Sequence, residues 1–369
     1  MDNCVIPHGY KATALGIIPQ EWEVMLLGNL SNSISSGRNK HRDAHGQYPV
    51  FGSTGIIGYS STYEYEGPVI LVARVGANAG TLNFASGQYD VSDNTLIITI
   101  KQNVYDYNFA YNQLTHYKLN KLVFGSGQPL ITSKQLKNIR IPVPPLAEQR
   151  KIAEVLGVWD KAIEKQARLI EKLALRKRAL MQRLLSAKLR LPGFSEPWKK
   201  VKLGDVAELY QPQTIQSEDL SQTGYPVYGA NGLIGYYNNY NHEYPQVVIT
   251  CRGSSCGTVN FTPGKCWITG NAMVLNVDNN RDVNKSFFYY LISNSSFVNL
   301  ISGSGQPQIV RQPLLKFELR IPPLKEQTAI AEVLTAADRE IDLAKEKLER
   351  LRRQKRGLMQ QLITGKKRI

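Results

Sequence analysis

Three scarcities bound this 369-residue sequence. Cysteine is rare: Cys4, Cys251, Cys256 and Cys266 show no repeated spacing, which excludes a disulfide framework and points to a reducing compartment. Histidine is rarer for its role. The five, at positions 8, 41, 45, 116 and 242, form no paired metal-ligand spacing. Long apolar runs are missing. No stretch approaches the roughly 18 residues of a membrane span, and the first residues lack a charged-then-apolar leader, so a soluble, cytoplasmic protein without membrane contact is expected.

Catalytic signatures are also missing. The glycine-rich GSGQP stretches lack the Gly-Lys-Ser/Thr end that holds a phosphate. The prolines before Leu146 and Leu324 follow Val143 and Ile321, not the polar residue an adenine methyltransferase uses to hold its target amine. No glycine fingerprint joins a strand to a helix as dinucleotide binding requires. Cys251, Cys256 and Cys266 suggest zinc only until a repeat, described below, sets Ala73, Ala79 and Tyr89 against them. No enzyme activity and no metal is expected in this chain.

Acidic residues are in deficit. The 45 Lys and Arg against 30 Asp and Glu leave +15, and a pI near 9.5 suggests a polyanionic partner. The excess is local. Residues 146–190 carry 12 basic and 5 acidic side chains, and residues 324–369 carry 12 and 7. Two segments therefore hold +12 of the +15. A solvated helix face, phosphate contacts and an acidic protein partner all fit this charge.

Those segments carry the strongest pattern in the chain. Apolar residues Ile152, Leu156, Trp159, Ile163, Ile170, Leu173, Leu180 and Leu184 follow alternating steps of four and three, with Gln166 and Lys177 at the two polar positions. This is a heptad seam over five turns of the pattern, so a long coiled-coil helix is predicted over Leu146–Ser186. Adding 178 finds it again over Leu324–Ile363: Ile330, Leu334, Ile341, Leu348, Leu351, Leu358 and Leu362, with Ala344 for Gln166 and Lys355 for Lys177. PPLAEQ returns as PPLKEQ, and IAEVL returns unchanged. An internal repeat follows. Each exposed seam needs a partner, and its own copy is the nearest one. Val155, Leu169 and Met181 lie just beside the first seam, where they thicken the core or meet a partner. Gly157 and Gly357 lie off the seam and each costs about 1 kcal/mol against Ala, which suggests close approach of another subunit.

The remaining sequence repeats too. WEVMLLGNL, YPVFGSTGIIGY, VILVARVGANAGTLNF and GSGQPLI recur in order as WKKVKLGDV, YPVYGANGLIGY, VVITCRGSSCGTVNF and GSGQPQI, at offsets of 176 to 178. The first copy reads as a hairpin at Tyr48–Tyr59, a β-rich run at Val69–Phe84, a strand at Asn94–Ile100, a helix near Asp106–Leu119 and a strand leading into the first long helix. The order is lobe, rod, lobe, rod. Antiparallel rods would relate the lobes by a pseudo-two-fold axis and bring the chain ends together in a circular repeat. The fold class is α+β: two similar mixed lobes and two long helices in an antiparallel coiled coil.

The lobes concentrate Gly, Asn, Gln, Ser, Tyr and Arg in loops. Arg pairs with guanine edges, and Asn or Gln with adenine edges. Arg74 and Arg252, matched in otherwise apolar runs, each need an internal carboxylate or an external phosphate or base. Gln128 and Gln306, held between Gly and Pro, sit in fixed loops that either contact DNA or cap a strand. Ser53, Asn78, Asn231 and Arg311 complete the candidate DNA-binding set. Tyr59 and Tyr236 fit lobe packing better than base contact.

With these stretches in hand, the sequence resembles the specificity subunits of type I restriction–modification systems. The resemblance covers essentially the whole chain. It rests on LGN or LGD after a Trp, YPVYGANGLIGY, GSGQPQI, IPPLKEQTAIAEVL and a basic helix ending LMQQLITGKK. It implies target-recognition domains at 1–145 and 191–320, with spacer helices at 146–190 and 321–369. It further implies that double-stranded DNA is read in two asymmetric halves. Two modification subunits, which use S-adenosylmethionine to methylate adenine, would dock with restriction (nuclease–translocase) subunits, leaving no cofactor in this chain. A coiled-coil scaffold that binds only proteins is the competing function; it predicts salt-insensitive function, whereas phosphate binding weakens steeply with salt.

Overall fold

The computed structural model describes residues 6–40, 43, 45–125, 129–229, 232–303 and 305–369. They form two compact units, Met1–Ala167 with Lys347–Ile369, and Arg168–Glu346. Each unit therefore holds one lobe and half of each long helix. Among the described residues no helix is long and apolar enough to cross a membrane.

The long helices span Leu146–Leu184 and Leu324–Ile363. At ~1.5 Å per residue each is a rod of about 60 Å. In the first unit, Ile152 and Leu156 from the start of one helix share a core with Met359, Leu362 and Ile363 from the end of the other. In the second unit the ends exchange roles: Leu184 and Leu185 meet Ile330 and Leu334, and Leu173 and Ile170 meet Ile341 and Ala344. The helices thus run antiparallel. Ile163 and Leu351 are half-buried and Leu348 is buried, as seam residues should be.

The polar seam positions mark the register. Lys355 Nζ meets Asp160 Oδ1 at 2.6 Å in the first unit, and Lys177 Nζ meets Asp338 Oδ1 at 2.5 Å in the second. The two pairs are images of each other under the 178-residue repeat. Being partly exposed, each contributes at most about 1 kcal/mol, so they select register more than they add stability. Gln166 is buried within the seam itself.

Each lobe is built on a four-stranded antiparallel sheet. In the first unit the order is Ser31–Ser36, Thr95–Ile100, Val69–Ala73, Leu82–Ala85; in the second it is Glu208–Tyr210, Ala272–Asn276, Val247–Thr250, Val259–Phe261. The central strands read Val-Ile-Leu-Val-Ala and Val-Val-Ile-Thr and are buried throughout. Register is shared at an offset of 177, with Leu71 opposite Ile97 and Val248 opposite Val274. A second sheet carries the hairpin Tyr48–Gly52 and Gly55–Ser60, or Tyr225–Gly229 and Gly232–Tyr237, beside a parallel strand.

The PPLAEQ and PPLKEQ stretches tie lobe to rod. Two prolines end the incoming strand without wasting an N–H, and the helix starts at the following Leu. Gln149 is fully buried. Its amide donates to Val104 O and Pro144 O, and its carbonyl accepts from Asp106 N, all at 2.9 Å. Gln327 repeats this with Asp282 O, Pro322 O and Asn284 N. Asp106 and Asn284 in turn cap the short helices Tyr107–Tyr117 and Lys285–Ser293. One glutamine thereby joins a short helix to the first turn of a long one.

The start of the first lobe meets the tail of the second long helix within the first unit, as the circular repeat requires. Tyr10 Oη donates to Gly365 O at 3.1 Å, and Arg368 reaches Glu21 and the buried Glu148.

Candidate nucleic-acid interface

Two loops come together at the end of the central strand in each lobe. In the first unit, Ala73 N donates to Thr81 O and Gly80 N returns to Ala73 O, closing the loop at 74–80. Gly80 has φ +88°, and a Cβ there would lie 2.5 Å from Asn120 N, so glycine is required. The second loop is closed by the bridge between Phe124 and Leu130. It is stitched to the first by Gly76 N to Pro129 O at 3.0 Å and Ile131 N to Arg74 O at 2.9 Å.

The second unit repeats the arrangement bond for bond. Thr250 N meets Thr258 O, Gly257 N meets Thr250 O, and Ser302 bridges Gln308. Gly253 N donates to Pro307 O and Ile309 N to Cys251 O. Within the 303–307 loop, a Cβ on Gly303 would sit 2.6 Å from Gln306 O, so that turn also demands glycine.

This hydrogen-bond pattern corrects the expected matching of the two arginines. Arg74 N donates to Asn94 O, and the bond in the same place is Cys251 N to Asn271 O. Arg74 therefore matches Cys251, and Val75 matches Arg252. The lobes are offset by 177 here, and aligning on the shared letter Arg shifts the loop by one residue. Both arginines also lie beyond their apolar strands, which end at Ala73 and Thr250. The difference is chemical. Cys251 is buried in the lobe core, and burial pushes its thiol up to about 12. Arg74 at that position is half-buried, and Arg252 one step on is exposed. Neither guanidinium makes a hydrogen bond or ion pair with another described residue, so the internal carboxylate weighed above is not found.

The other candidates fall into two groups. Asn78, in the loop with Arg74, and Gln306, in the loop stitched beside Arg252, are exposed. Ser53 is half-buried in the two-residue hairpin turn between Gly52 and Gly55. Arg311 is exposed at the first turn of the helix Arg311–Leu315 and lines a depression with Arg281, Asp205 and Asp282, whose lining includes neither loop. Gln128 and Asn231 lie outside the described residues. Tyr59 is exposed and Tyr236 half-buried. Among the described residues no group of three or more His, Cys, Asp or Glu could hold a metal ion.

Sequence reasoning missed the buried polar residues that hold lobe and rods together. Gln149, Gln327, Glu148 and Glu326 are all buried. Their signal was present in the repeated Glu-Gln after each Pro-Pro, which reads as a first-turn charge until the partners are seen.

The same pair of loops occurs once in each lobe, closed by the same hydrogen bonds. The sequence profile of the type I restriction modification DNA specificity domain matches residues 19–174 and again residues 195–353. The chain belongs to that family and carries the domain twice. It is 24% identical to the type I restriction enzyme MjaVIII specificity subunit of Methanocaldococcus jannaschii, over 95% of this chain and 94% of that one. It is 23% identical to a putative specificity subunit of Haemophilus influenzae, over 85% and 86%. The fold matches the crystal structure of the S subunit from M. genitalium with a TM-score of 0.65 at 19% identity, covering 93% of this chain and 96% of that one. A structure from work on complex assembly and conformational transition of the type I R-M system matches at 0.58 and 19%, covering 94% and 99%.

Proposed function

We propose that this specificity subunit reads a bipartite, asymmetric target in double-stranded DNA, one half with each lobe. The observation that carries the reading is the paired-loop surface present once per lobe, with an arginine on each that pairs with no other described residue. The two arginines leave the loop at different positions, so the lobes present different chemistry and the half-sites differ. The antiparallel rods fix the gap. Two modification subunits dock on the chain and supply S-adenosylmethionine-dependent adenine methylation; nuclease–translocase subunits join for restriction. The chain itself contributes no catalytic group and no cofactor, and it acts in the cytoplasm.

The test is methylation mapping of host DNA after co-expression with a modification subunit of the same system. The expected result is one two-part, non-palindromic motif, methylated on both strands and lost without this chain. A palindromic motif would overturn the asymmetric reading, and a stable complex with no motif would overturn sequence readout. Arg252→Ala should weaken DNA binding about tenfold and relax one position or lower the salt slope by about one.

A further inference from the structure

A third loop opens at the same end of the main sheet as the paired loops. In the first unit Arg74 N, at the root of one paired loop, donates to Asn94 O. Gly37 N, just past the strand Ser31–Ser36, donates to the neighbouring Thr95 O, also at 2.9 Å. In the second unit Cys251 N donates to Asn271 O at 3.0 Å, and Gln211 Nε2, just past the strand Glu208–Tyr210, donates to Gly270 O at 2.9 Å. The third loop therefore leaves each sheet beside the loops that carry Arg74 in one lobe and Arg252 in the other.

In the first lobe the start of this loop is firmly held. Arg38 N and Asn39 N both donate to Val91 O, at 3.0 and 2.9 Å, and Asn39 bridges to Ser92. A Cβ on Gly37 would collide with Val91 O, so this close approach requires glycine. In extended backbone, alternate side chains point to opposite sides. Asn39 turns inward, and its amide donates to the carboxylate of the buried Asp90. Arg38 and Lys40, on either side of it, are exposed, the Arg38 side chain at 82%. Arg38 lies 3.9 Å from Glu64, itself 44% exposed, so water and salt screen that pair.

The lobes differ here in charge. Residues 37–47 carry three Lys or Arg and one Asp, whereas residues 211–224 carry no cation and two acidic side chains, Glu218 and Asp219. Strand register matches the loops residue by residue. Ser35 faces Ile97 and Tyr210 faces Val274, while Ile97 and Val274 in turn face Leu71 and Val248. Three residues on, Arg38 corresponds to Gln213. Gln213 is also exposed on an anchored backbone, since its carbonyl accepts from the Trp267 indole at 3.1 Å. The difference between the two positions is one of charge and not of order.

We propose that Arg38 and Lys40 grip the DNA phosphate backbone, a clamp that the first lobe has and the second lacks. Two cations facing one way make a local positive patch that phosphates satisfy together, whereas a base edge takes one planar group. The first half-site then carries more of the salt-dependent affinity than the second. This rests on the proposed reading of DNA and adds which lobe holds the backbone more strongly.

The experiment uses the full chain in complex with a modification subunit of the same system. It is titrated onto a duplex with the mapped motif and onto a scrambled duplex, from about 50 to about 200 mM salt. Arg38→Gln should lower the slope of log affinity against log salt by about one and weaken both duplexes about fivefold, with the methylated motif unchanged. Arg38→Lys should restore the slope. Gln213→Arg, which places the same cation on the second lobe, should raise it by about one. Wild-type binding to the motif with a slope unmoved by Arg38→Gln would overturn the clamp and leave DNA reading intact. A motif relaxed in one half by Arg38→Gln would overturn the phosphate assignment in favour of a base contact. A slope unmoved by Gln213→Arg would overturn the equivalence of the two loops. A wild-type complex that binds neither duplex would overturn the DNA reading itself.

Discussion

Glu148 and Glu326 occupy the same position in the two units, yet they are held differently. Glu326 is 1% exposed and takes a two-pronged contact from Arg190, at 2.6 and 2.8 Å. Arg190 lies in the segment that continues from the first long helix into the second lobe. Glu148 receives Arg368, at 3.0 and 2.9 Å, from the tail of the second long helix. Glu148 also accepts from the indole of Trp22 at 3.1 Å, whereas the buried Trp198 indole N–H has no partner among the described residues. The second unit closes through continuous chain. The first closes the same joint without a covalent connection and adds a hydrogen bond to it. A circular repeat must be sealed somewhere, and here the seal is one arginine, two carboxylates and an indole.

Removing the carboxylate should affect the two units unequally. Glu326→Ala should cost about 3 kcal/mol, the lower end for removing one partner of a buried pair, because Arg190 is a quarter exposed. Glu148→Ala should cost about 2 kcal/mol. It strands the Trp22 N–H, but Arg368 is more exposed and keeps Glu21 at 2.6 Å. Urea unfolding of both variants measures the difference; a larger loss for Glu148→Ala would reverse the ranking.

The indoles sharpen the comparison further. Trp22→Phe removes a made hydrogen bond, whereas Trp198→Phe removes a donor that has none. Trp22→Phe should therefore be the more destabilising by about 1–2 kcal/mol. Equal losses in the same unfolding assay would show that the bond to Glu148 contributes nothing.

The smallest effect is acid sensitivity. Burial holds His116 of the first unit below the ordinary histidine range, helped by the cations Lys118 and Lys121. Burial does the same for His242 of the second, opposed by Asp278. A histidine whose folded pKa is depressed leaves the unfolded chain binding more protons as pH falls. The stability is complete above about 6.5 and is lost below it. Salt should reduce the His116 share, which depends on exposed cations, and leave the burial share of His242. Melting temperatures from pH 7.5 to 5, with His116→Gln and His242→Gln at low and high salt, test this. An acid slope unchanged in both variants would discard it.

How much was readable varied with the kind of signal. The second long helix has the bounds its heptads predicted, Leu324–Ile363, because a period of 3.5 is local and repeats many times. The helix read near Asp106–Leu119, found at Tyr107–Tyr117, and the hairpin read at Tyr48–Tyr59 were equally local. The match of Arg74 to Arg252 failed because identical letters one residue out of step outweigh strand register until hydrogen bonds are visible. The burial of Gln149 was unreadable, since its three partners come from segments up to 45 residues away.

By itself the sequence determined that two copies of one design exist, where each long helix starts, and that the positive charge belongs to the rods. Periodicity, proline placement and internal repetition are properties of neighbours along the chain, and the chain records them directly. Tertiary structure decided which half of each helix packs with which lobe and which residue of the paired loops faces outward. Those outcomes depend on contacts between residues distant along the chain, which no local pattern records.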